Sequence, residues 1–243
     1  MKILITGASS GIGAQLAREY ATKENELILL ARREDKLYDL RKELYEKCKS
    51  VDVIVVDVRD FDKLQAKIRD IGVTDIVILN AGVSLGHDND IPTISEFKNL
   101  YDVNVLSNHA ILEILLPLFK EQKSGKIVFI SSLASLFSMP SSKVYSSSKR
   151  ALNAYAEGIR YKYSSFGVRV INILPGFIKS ELTDKNEFNM PFLLSTEDGA
   201  RRIKKAIDKN KEFYPFPLRF YLIIKVLNLL PSFLRVKIVN SIN

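Results

Sequence analysis

The sequence predicts an α/β fold, a doubly wound parallel sheet flanked by helices on both faces. Short apolar runs alternate along the chain with segments of helical periodicity, which favours parallel strands joined by right-handed crossovers. A glycine-rich turn joins the first apolar run to the first helical segment. Several later runs end in small or polar residues, at the edge where open α/β sheets bind their ligands.

Composition limits the classes of protein to which the chain can belong. Its 243 residues are 47% hydrophobic and 26% charged, which suits a single domain over residues 1–243 with a sizeable core. Cys48 is the only cysteine, so an internal disulfide is excluded and a reducing, cytoplasmic compartment is expected. The chain shows no signal-peptide pattern and no metal-ligand spacing, so no bound metal is expected.

The charge of the chain suggests an anionic partner. A net charge of +8 suits nucleic acid, a membrane surface or a polyanionic cofactor. No strand-like run carries interleaved aromatic residues and arginines, so a nucleic-acid partner is not expected. A membrane surface and an anionic cofactor both stay open on charge alone.

The first strand and the turn after it form a candidate phosphate site. Residues 2–6 read as a buried strand, and Leu16 and Tyr20 lie on the apolar face of a following helix. Glycines let the backbone approach a pyrophosphate, and the helix N-terminus offers free N–H groups. The turn consists of Gly7, Ala8, Ser9, Ser10, Gly11, Ile12 and Gly13.

The second strand, residues 26–30, lacks the acidic residue that binds a ribose 2′-hydroxyl in many dinucleotide folds. It continues instead into Ala31, Arg32 and Arg33. An arginine suits a 2′-phosphate because it offers paired N–H donors and a fixed charge, so Arg32 favours NADP over NAD. The alternative is that these arginines only begin the next helix at the surface.

Two further strands, over residues 51–56 and 75–79, end in candidate ligand-binding residues. The residues that follow are Asp57 and Val58 after the first strand, and Asn80, Ala81 and Gly82 after the second. The first pair either borders an adenine or only leads into the next helix. The polar residue and the glycine after the second strand lie where open α/β sheets bind ligands.

A long apolar helix is predicted to start at Thr93 or Ser95. Asn104 lies within it, and a buried asparagine in such a helix needs hydrogen-bond partners. His109 on the same helix is interpreted as a core or surface residue. His87, in an earlier loop, is given no role.

A fifth strand, residues 126–130, ends at Ser131 and Ser132, and Tyr145 and Lys149 follow one helical turn apart. A nearby ammonium favours a phenolate. Lys149 and a cationic nicotinamide ring would therefore lower the pKa of Tyr145 from about 10 towards about 7. A tyrosine and a lysine four residues apart are common on helices, so the functional interpretation of this pair depends on the other motifs of the chain.

A sixth strand, residues 168–174, ends at Pro175 and Gly176, where the chain can lie along a nicotinamide. Six motifs together resemble those of the short-chain dehydrogenase/reductase family, in its compact single-domain branch, over roughly the first 180 residues. The motifs are Thr6 to Gly13, Asn80-Ala81-Gly82, Asn104, Ser132, Tyr145-x-x-x-Lys149 and Pro175-Gly176. The resemblance implies a Rossmann-like fold and hydride transfer between NAD(P)(H) and a carbonyl or hydroxyl carbon.

The resemblance also implies a role for each catalytic residue. Tyr145 would be the general acid in carbonyl reduction, and Ser132 would hold and polarise the substrate oxygen. Lys149 would bind the nicotinamide ribose and lower the tyrosine pKa. Asn104 would hold a water that links the lysine to solvent for proton supply.

The implied cofactor site favours NADP(H) over NAD(H). Ser9 and Arg32 would take the 2′-phosphate. Many NADP-dependent members carry Arg or Lys where this chain has Ser10, so Arg32 would bear most of the selectivity. Asn80 would bind the ribose beside the adenine. The full set is Gly7, Ser9, Ser10, Gly11, Ile12, Gly13, Arg32, Asp57, Val58, Asn80, Ala81, Gly82, Tyr145, Lys149, Pro175, Gly176 and Ile178.

The last quarter of the chain resembles the family much less. Residues 177–215 are expected to include a substrate lid, and residues 216–243 form an apolar-basic tail within the same domain. The tail either binds a membrane surface, docks on the core near a short seventh strand, or forms an oligomer interface. Apolar lid residues either bind an apolar substrate or cover the core: Phe177, Ile178, Leu182, Phe188, Met190, Phe192, Leu193 and Leu194.

These observations predict an NADP-dependent oxidoreductase, and in particular a reductase of an apolar ketone, aldehyde or oxoacyl compound. A non-catalytic dinucleotide sensor or scaffold is one alternative, although a sensor need not retain all four catalytic residues. A membrane-docked reductase of a lipid pathway is another. Relatives are often dimers or tetramers, so a homo-oligomer is expected.

Overall fold

Seven strands form one fully parallel sheet in the computed structural model, which describes residues 1–86, 91–184 and 190–242. The strands are β1 (Lys2–Thr6), β2 (Glu26–Ala31), β3 (Ser50–Val55), β4 (Ile76–Leu79), β5 (Gly125–Ile130), β6 (Val168–Pro175) and β7 (Phe213–Phe216). Their order is β3-β2-β1-β4-β5-β6-β7. The order reverses between β1 and β4, as a doubly wound sheet requires, so the predicted fold class is confirmed.

Helices cover both faces of this sheet. They are α1 (Gly11–Glu19), α2 (Glu34–Leu44), α3 (Phe61–Ile71), α4 (Ile94–Tyr101), α5 (Ser107–Gln122), α6 (Lys143–Tyr163), α7 (Thr196–Asp208), α8 (Leu218–Leu229) and α9 (Ser232–Ile242). Strand side chains alternate between faces, so Ile3 and Ile5 pack in one core cluster and Leu4 in the other. The first cluster takes residues from α1, α2 and α7, and the second from α3, α5 and α6.

The long helix predicted from Thr93 is confirmed, and it runs from α4 into α5 without a non-helical residue but with a change of winding between them. Thr93 caps α4 through a capping box with Glu96. Between α4 and α5, residues 102–106 form a wider π-helical turn with Asn104 at its centre. The carbonyl oxygen of Asn104 accepts a hydrogen bond from Nδ2 of Asn108 (2.7 Å). Side-chain amides that compete for backbone hydrogen bonds suit such a turn, and such turns are frequent at functional sites.

Gly167 lets the chain turn back into β6. Its φ of +76° lies in the left-handed region, and a Cβ on it would lie 2.2 Å from the carbonyl oxygen of Lys123. That oxygen belongs to the turn before β5, so the absence of a side chain allows β5 and β6 to start side by side. Gly158 in α6 differs from Gly167, because nothing lies within 4 Å of its Cβ position and a side chain there has room.

We expect Gly167→Ala to lower the free energy of unfolding by more than about 1 kcal/mol, because it adds steric overlap to a left-handed backbone. Gly158→Ala is the matched control and should raise that free energy by about 0.5–1 kcal/mol, since alanine is favoured over glycine inside a helix. Urea denaturation of both variants measures the difference. Equal effects of the two substitutions would contradict this account of Gly167.

Candidate active site

The turn after β1 packs directly on the end of β4. Gly7 and Gly11 have φ values of +66° and +53°, which glycine adopts without a steric cost. A Cβ on Gly7 would lie 2.9 Å from the Cα of Ala81, and one on Gly13 would lie 2.3 Å from the carbonyl oxygen of Gly7. The glycines therefore bring the start of α1 to the gap between two strands and leave backbone that a pyrophosphate can approach.

Thr6 and Asn80 join the ends of β1 and β4. Nδ2 of Asn80 donates to the carbonyl oxygen of Thr6 (3.0 Å). Oγ1 of Thr6 accepts from the backbone N–H groups of Asn80 (2.9 Å) and Ala81 (3.0 Å). Thr6 is not among the predicted site residues, although a fully buried polar residue at the end of an apolar strand is a signal that a partner lies nearby.

A cavity of about 980 Å³ opens above the carboxyl ends of the strands. Gly13 and Asn104 do not line it: Gly13 lies beneath the turn, and Oδ1 of Asn104 lies behind Gly82, 3.4 Å from its Cβ position. The other predicted cofactor and catalytic residues all line this cavity, namely Gly7, Ser9, Ser10, Gly11, Ile12, Arg32, Asp57, Val58, Asn80, Ala81, Gly82, Ser132, Tyr145, Lys149, Pro175, Gly176 and Ile178.

Ser132 and Tyr145 come together from two different elements. Ser132 follows β5, and its Oγ accepts a hydrogen bond from the N–H of Ala134 (3.1 Å). Tyr145 lies in the first turn of α6 and is hydrogen-bonded to Ser132. Desolvation raises the pKa of Tyr145 to about 12, although the hydrogen bond with Ser132 favours the ionised form. The tyrosine is therefore protonated throughout the neutral range.

Lys149 lies one turn later on α6 and is only 3% exposed. Its Nζ donates to the carbonyl oxygen of Ile130 (2.9 Å) and lies 5.7 Å from the centroid of the Tyr145 ring. Burial lowers the pKa of this ammonium from 10.5 to about 8. Burial therefore has the larger effect on the pKa of both groups in this structure. A lowered Tyr145 pKa beside a cationic nicotinamide ring stays a prediction for the complex.

The side chain of Asn104 fastens the loop after β4 to α6. Its Oδ1 accepts from the N–H of Val83 (2.8 Å), and its Nδ2 donates to the carbonyl oxygen of Val83 (3.0 Å) and to Oγ of Ser148 (3.1 Å). Since Ser148 precedes Lys149, these contacts hold the lysine close to Gly82. The buried asparagine has the partners that the sequence requires, while its role in proton supply stays a prediction.

The apolar residues predicted in the lid divide between the cavity and the core. Some line the cavity: Phe177, Leu182 and Phe192. Leu194 instead pairs with Ile178 through the backbone and packs on the first core cluster. Phe188 lies outside the residues that the structure describes. Some residues of the lid segment therefore line the cavity, where an apolar substrate could bind, and others cover the core.

His109 is not among the residues that line the cavity. Its Nδ1 pairs with the hydroxyl of Tyr155 on α6 (2.7 Å), which agrees with its interpretation as a core or surface residue. His87 falls outside the described residues. In the part of the chain that the structure describes, no group of three or more His, Cys, Asp or Glu side chains could hold a metal ion.

Comparison with known proteins identifies the family. The family model for short chain dehydrogenases matches residues 1–190. The chain belongs to the short-chain dehydrogenase family. An uncharacterised oxidoreductase of Myxococcus xanthus is 34% identical to it over 233 residues, covering 94% of this chain and 92% of the relative. The protein is therefore a dehydrogenase/reductase enzyme.

Two solved structures share the fold, and the first is a short-chain dehydrogenase. One from Sphingobium yanoikuyae in complex with NADPH has a TM-score of 0.82 at 22% identity, covering 95% of this chain and 96% of that one. A 3-oxoacyl-[acyl-carrier protein] reductase from Brucella melitensis with bound NAD has a TM-score of 0.77 at 23% identity, covering 88% of each chain. Since the two hold different cofactors, the shared fold does not decide between NADP and NAD.

Behind the candidate catalytic residues of this short-chain dehydrogenase lies a polar network that the sequence pattern does not predict. At its centre, Oδ1 of Asn153 accepts from Oγ of Ser131 (2.7 Å) and from Nδ2 of Asn172 (2.9 Å). Nδ2 of Asn153 donates to Oγ of Ser135 (2.6 Å), which donates to the carbonyl oxygen of Ser132 (2.5 Å). Asn153 lies one helical turn after the buried lysine, and that spacing is the signal that could have found it.

Arg33, rather than Arg32, makes the close contacts with the glycine-rich turn. Its Nε donates to Oγ of Ser9 (3.1 Å), and a terminal nitrogen donates to Oγ of Ser10 (2.5 Å). The guanidinium of Arg32 lies 3.9 Å from a carboxylate oxygen of Asp57, and its side chain is 61% exposed. Both arginines line the cavity. Sequence alone does not show which of the two arginines reaches the glycine-rich turn, because the fold of the turn before α2 sets the direction of each side chain.

The buried ammonium of Lys149 affects stability independently of catalysis. Its pKa is lowered on folding from 10.5 to about 8, so the unfolded chain binds more protons between these values. Burial of the charged lysine therefore lowers the free energy of unfolding by its full amount below about pH 8, and this loss disappears as the pH rises towards 10.5. We compare the free energy of unfolding of Lys149→Met with that of the parent enzyme at two pH values. The difference in favour of the variant should be roughly 2–3 kcal/mol larger at about pH 7 than at about pH 10.

Urea denaturation of both proteins at the two pH values measures this difference, and any constant loss of packing cancels. Lys162→Met, at an exposed position on the same helix, is the matched control and should show no such dependence. If the stability difference for Lys149→Met is the same at both pH values, burial does not penalise the lysine charge.

Proposed function

We propose that this enzyme is an NADP-dependent reductase of apolar carbonyl compounds. One observation supports this above the others. A single cavity holds arginines at its β2 end, hydroxyl donors and a buried lysine beside β5, and apolar residues towards β6 and β7. A non-catalytic dinucleotide sensor has no need of the hydroxyl donors, so the enzyme is favoured over that alternative.

The first half of the chain fits NADP. The backbone of the glycine-rich turn and the N-terminus of α1 would hold the pyrophosphate, because they offer free N–H groups and a positive dipole end. Asp57 and Val58 would border the adenine, and Asn80 would bind the adjoining ribose. Arg32 and Arg33 would take the 2′-phosphate, at the end of a strand that lacks the acidic residue of NAD-binding folds.

The catalytic residues would supply hydrogen bonds and a proton. When bound, the nicotinamide supplies a hydride to the carbonyl carbon of the substrate. The hydroxyls of Ser132 and Tyr145 would donate to the substrate oxygen as negative charge grows there. Tyr145 would then transfer its proton to that oxygen to give the alcohol. Its pKa of about 12 keeps the proton in place at neutral pH, so the tyrosine is in the form that a general acid requires.

Lys149 and Asn104 would support this proton transfer. Lys149 is charged below about pH 8, and its ammonium would stabilise the phenolate that remains when Tyr145 has given up its proton. It would also bind the nicotinamide ribose. Asn104 holds the loop after β4 against α6 and would hold the water through which the lysine exchanges protons with solvent.

The substrate side of the cavity is apolar. Phe177 stacks on Phe220 with ring centroids 5.8 Å apart, and Phe192 packs on the same ring at 5.9 Å. Further apolar residues line this side: Leu133, Phe137, Met139, Leu182, Pro191, Ile223, Ile224 and Leu227. A pocket with a few hydroxyl donors and an extended apolar wall suits a bulky apolar ketone, aldehyde or oxoacyl compound.

A panel of ketones, aldehydes and oxoacyl thioesters, with NADPH or NADH as hydride donor, tests this function. We expect NADPH to be the better donor and bulky apolar compounds to be the better substrates. Tyr145→Phe should lower kcat by at least about 100-fold and spare NADPH binding, because a general acid contributes about 10²–10⁴-fold. Activity confined to small hydrophilic ketones would contradict the substrate class.

Tyr161→Phe is the matched control for this experiment. Tyr161 lies on the same helix, is 71% exposed and donates to Glu157, so its variant should keep the activity of the parent enzyme. Full activity of Tyr145→Phe would refute the general-acid role. Loss of NADPH binding in that variant would make cofactor binding the main role of the Tyr145 hydroxyl.

We further propose that the tail contacts an anionic membrane surface. Residues 216–243 contain four basic residues and no acidic ones. Ile223 belongs to both the cavity wall and the exposed surface, so a lipid-like substrate would have a short apolar path. Apolar surface with only positive charge suits an anionic bilayer. The exposed apolar residues are Leu218, Leu222, Ile223, Val226, Leu229, Phe233, Leu234 and Val236.

The proposed contact is peripheral and belongs to a cytoplasmic enzyme. Among the helices of the described chain, none is both long and apolar enough to span a bilayer. A second copy of the chain would be the other occupant of the same surface, since a homo-oligomer is also expected. Charge favours the membrane, because two copies of this basic tail would repel each other.

Vesicle flotation separates the two occupants. We expect the enzyme to float with anionic vesicles at low ionic strength and to stay unbound with neutral ones. Lys225→Glu combined with Lys237→Glu should abolish flotation, since each basic residue near an anionic surface contributes about 1 kcal/mol. Lys42→Glu combined with Lys47→Glu is the matched control and should float normally. A dimer or tetramer that stays unbound would assign the surface to a second copy.

A further inference from the structure

A carboxylate of the chain itself lies beside the arginine end of the cavity. One oxygen of Glu181 accepts from a terminal nitrogen of Arg33 (2.7 Å), and the other accepts from Nζ of Lys36 (2.8 Å). Oγ of Ser10 lies 3.2 Å from the oxygen that Arg33 binds. Two cations and a hydroxyl thus converge on one carboxylate. Hydrogen bonds from Lys36 and Arg33 lower the pKa of Glu181 to about 2, so it stays ionised.

Local structure holds Glu181 in this position. Oγ1 of Thr183 accepts from the backbone N–H of Ser180 (2.9 Å) and lies 2.9 Å from the carbonyl oxygen of Ile178. The Cβ of Ser180 lies 3.2 Å from the Cβ position of Gly11, so this compact turn packs against the glycine-rich turn. A folded segment therefore carries the carboxylate to the cavity, while the Glu181 side chain itself is 52% exposed.

The donors around Glu181 are those that a 2′-phosphate would use. Arg33 also donates to Ser9, and Ser9, Ser10 and Arg33 all line the cavity. An arginine fork with adjacent hydroxyls and a lysine matches phosphate as well as carboxylate, because both groups present several acceptor oxygens and negative charge. Two anions that share these cations would repel each other at short range.

We propose that Glu181 determines cofactor specificity by competing with the 2′-phosphate of NADP for Arg33, Lys36 and Ser10. This inference rests on the proposed function, in which NADP is the cofactor. NADPH must displace the carboxylate or share its cations, whereas NADH carries only a 2′-hydroxyl and leaves the ion pairs intact. Glu181 therefore weakens the binding of NADPH and limits the preference for NADPH over NADH.

Direct binding to Glu181→Gln tests this inference without any turnover. Titration of the enzyme gives dissociation constants for NADPH, NADH and the fragment 2′,5′-ADP. We expect NADPH and 2′,5′-ADP to bind about threefold to tenfold more tightly to the variant than to the parent enzyme. The effect is modest because each exposed ion pair that Glu181 makes is weak. NADH should change by less than about twofold, because it does not approach the contested cations.

Two further variants isolate the cause. Glu43→Gln is the matched control: Glu43 pairs with Arg18 (2.7 Å) at a similarly exposed position that does not line the cavity, so all three constants should stay unchanged. In an Arg33→Ala background, the effect of Glu181→Gln on NADPH should shrink, because the main contested cation is gone. The same fold effect in both backgrounds would contradict competition for Arg33.

The outcomes for this inference and for the proposed cofactor are distinct. Weaker NADPH binding to Glu181→Gln would overturn the inference and make Glu181 a residue that positions Arg33. No change in any constant, or equal changes for NADPH and NADH, would overturn it as well. If the parent enzyme prefers NADH, the proposed cofactor is wrong, while a shift of the variant towards NADPH would still support competition by the carboxylate.

Discussion

The close approach between the turn after β1 and the end of β4 is the constraint on which the rest of the site depends. A side chain on Gly7 or Gly13 would fill this contact, since either Cβ would lie less than 3 Å from backbone atoms. On one side of the gap the chain continues into α1 and one core layer, and on the other into α5 and the second layer. The two strand ends therefore open a cleft, and Thr6 and Asn80 hold its floor together.

At the candidate catalytic centre, the buried lysine that the proposed chemistry needs lowers the stability of the fold. Lys149 is buried with one carbonyl oxygen as its hydrogen-bond partner, so folding works against its charge. The helix that carries it is anchored by Leu152 and Ala156 in the second core cluster, and the network around Asn153 fixes the serines of the site from below. Apolar packing on one side of α6 thus offsets the cost of a buried charge on the other.

Local signals explain what the sequence predicts and what it misses. The six predicted strands match the structure to within one residue at each end, because each is a short apolar run with a clear stop. Asn104 is correctly expected to be buried with partners, but the wide turn around it depends on packing against α6 and has no local pattern. The contact of Glu181 with Arg33 joins residues 148 positions apart, so no periodicity reports it. Asn153 is different, because its position four residues after Lys149 is a local signal that places it on the same face of α6.

The part of the chain that least resembles the family builds the apolar wall of the cavity. Phe220 of α8 stacks on Phe177, and Ile224 packs with Leu133 and Leu174 in a third core cluster. The same side of α8 therefore docks on the core and lines the cavity, which leaves the other side exposed. The candidate reacting groups lie at strand ends and on α6, so α8 can vary without moving them. The reaction class consequently follows from the sequence, while the substrate depends on packing that the sequence does not reveal.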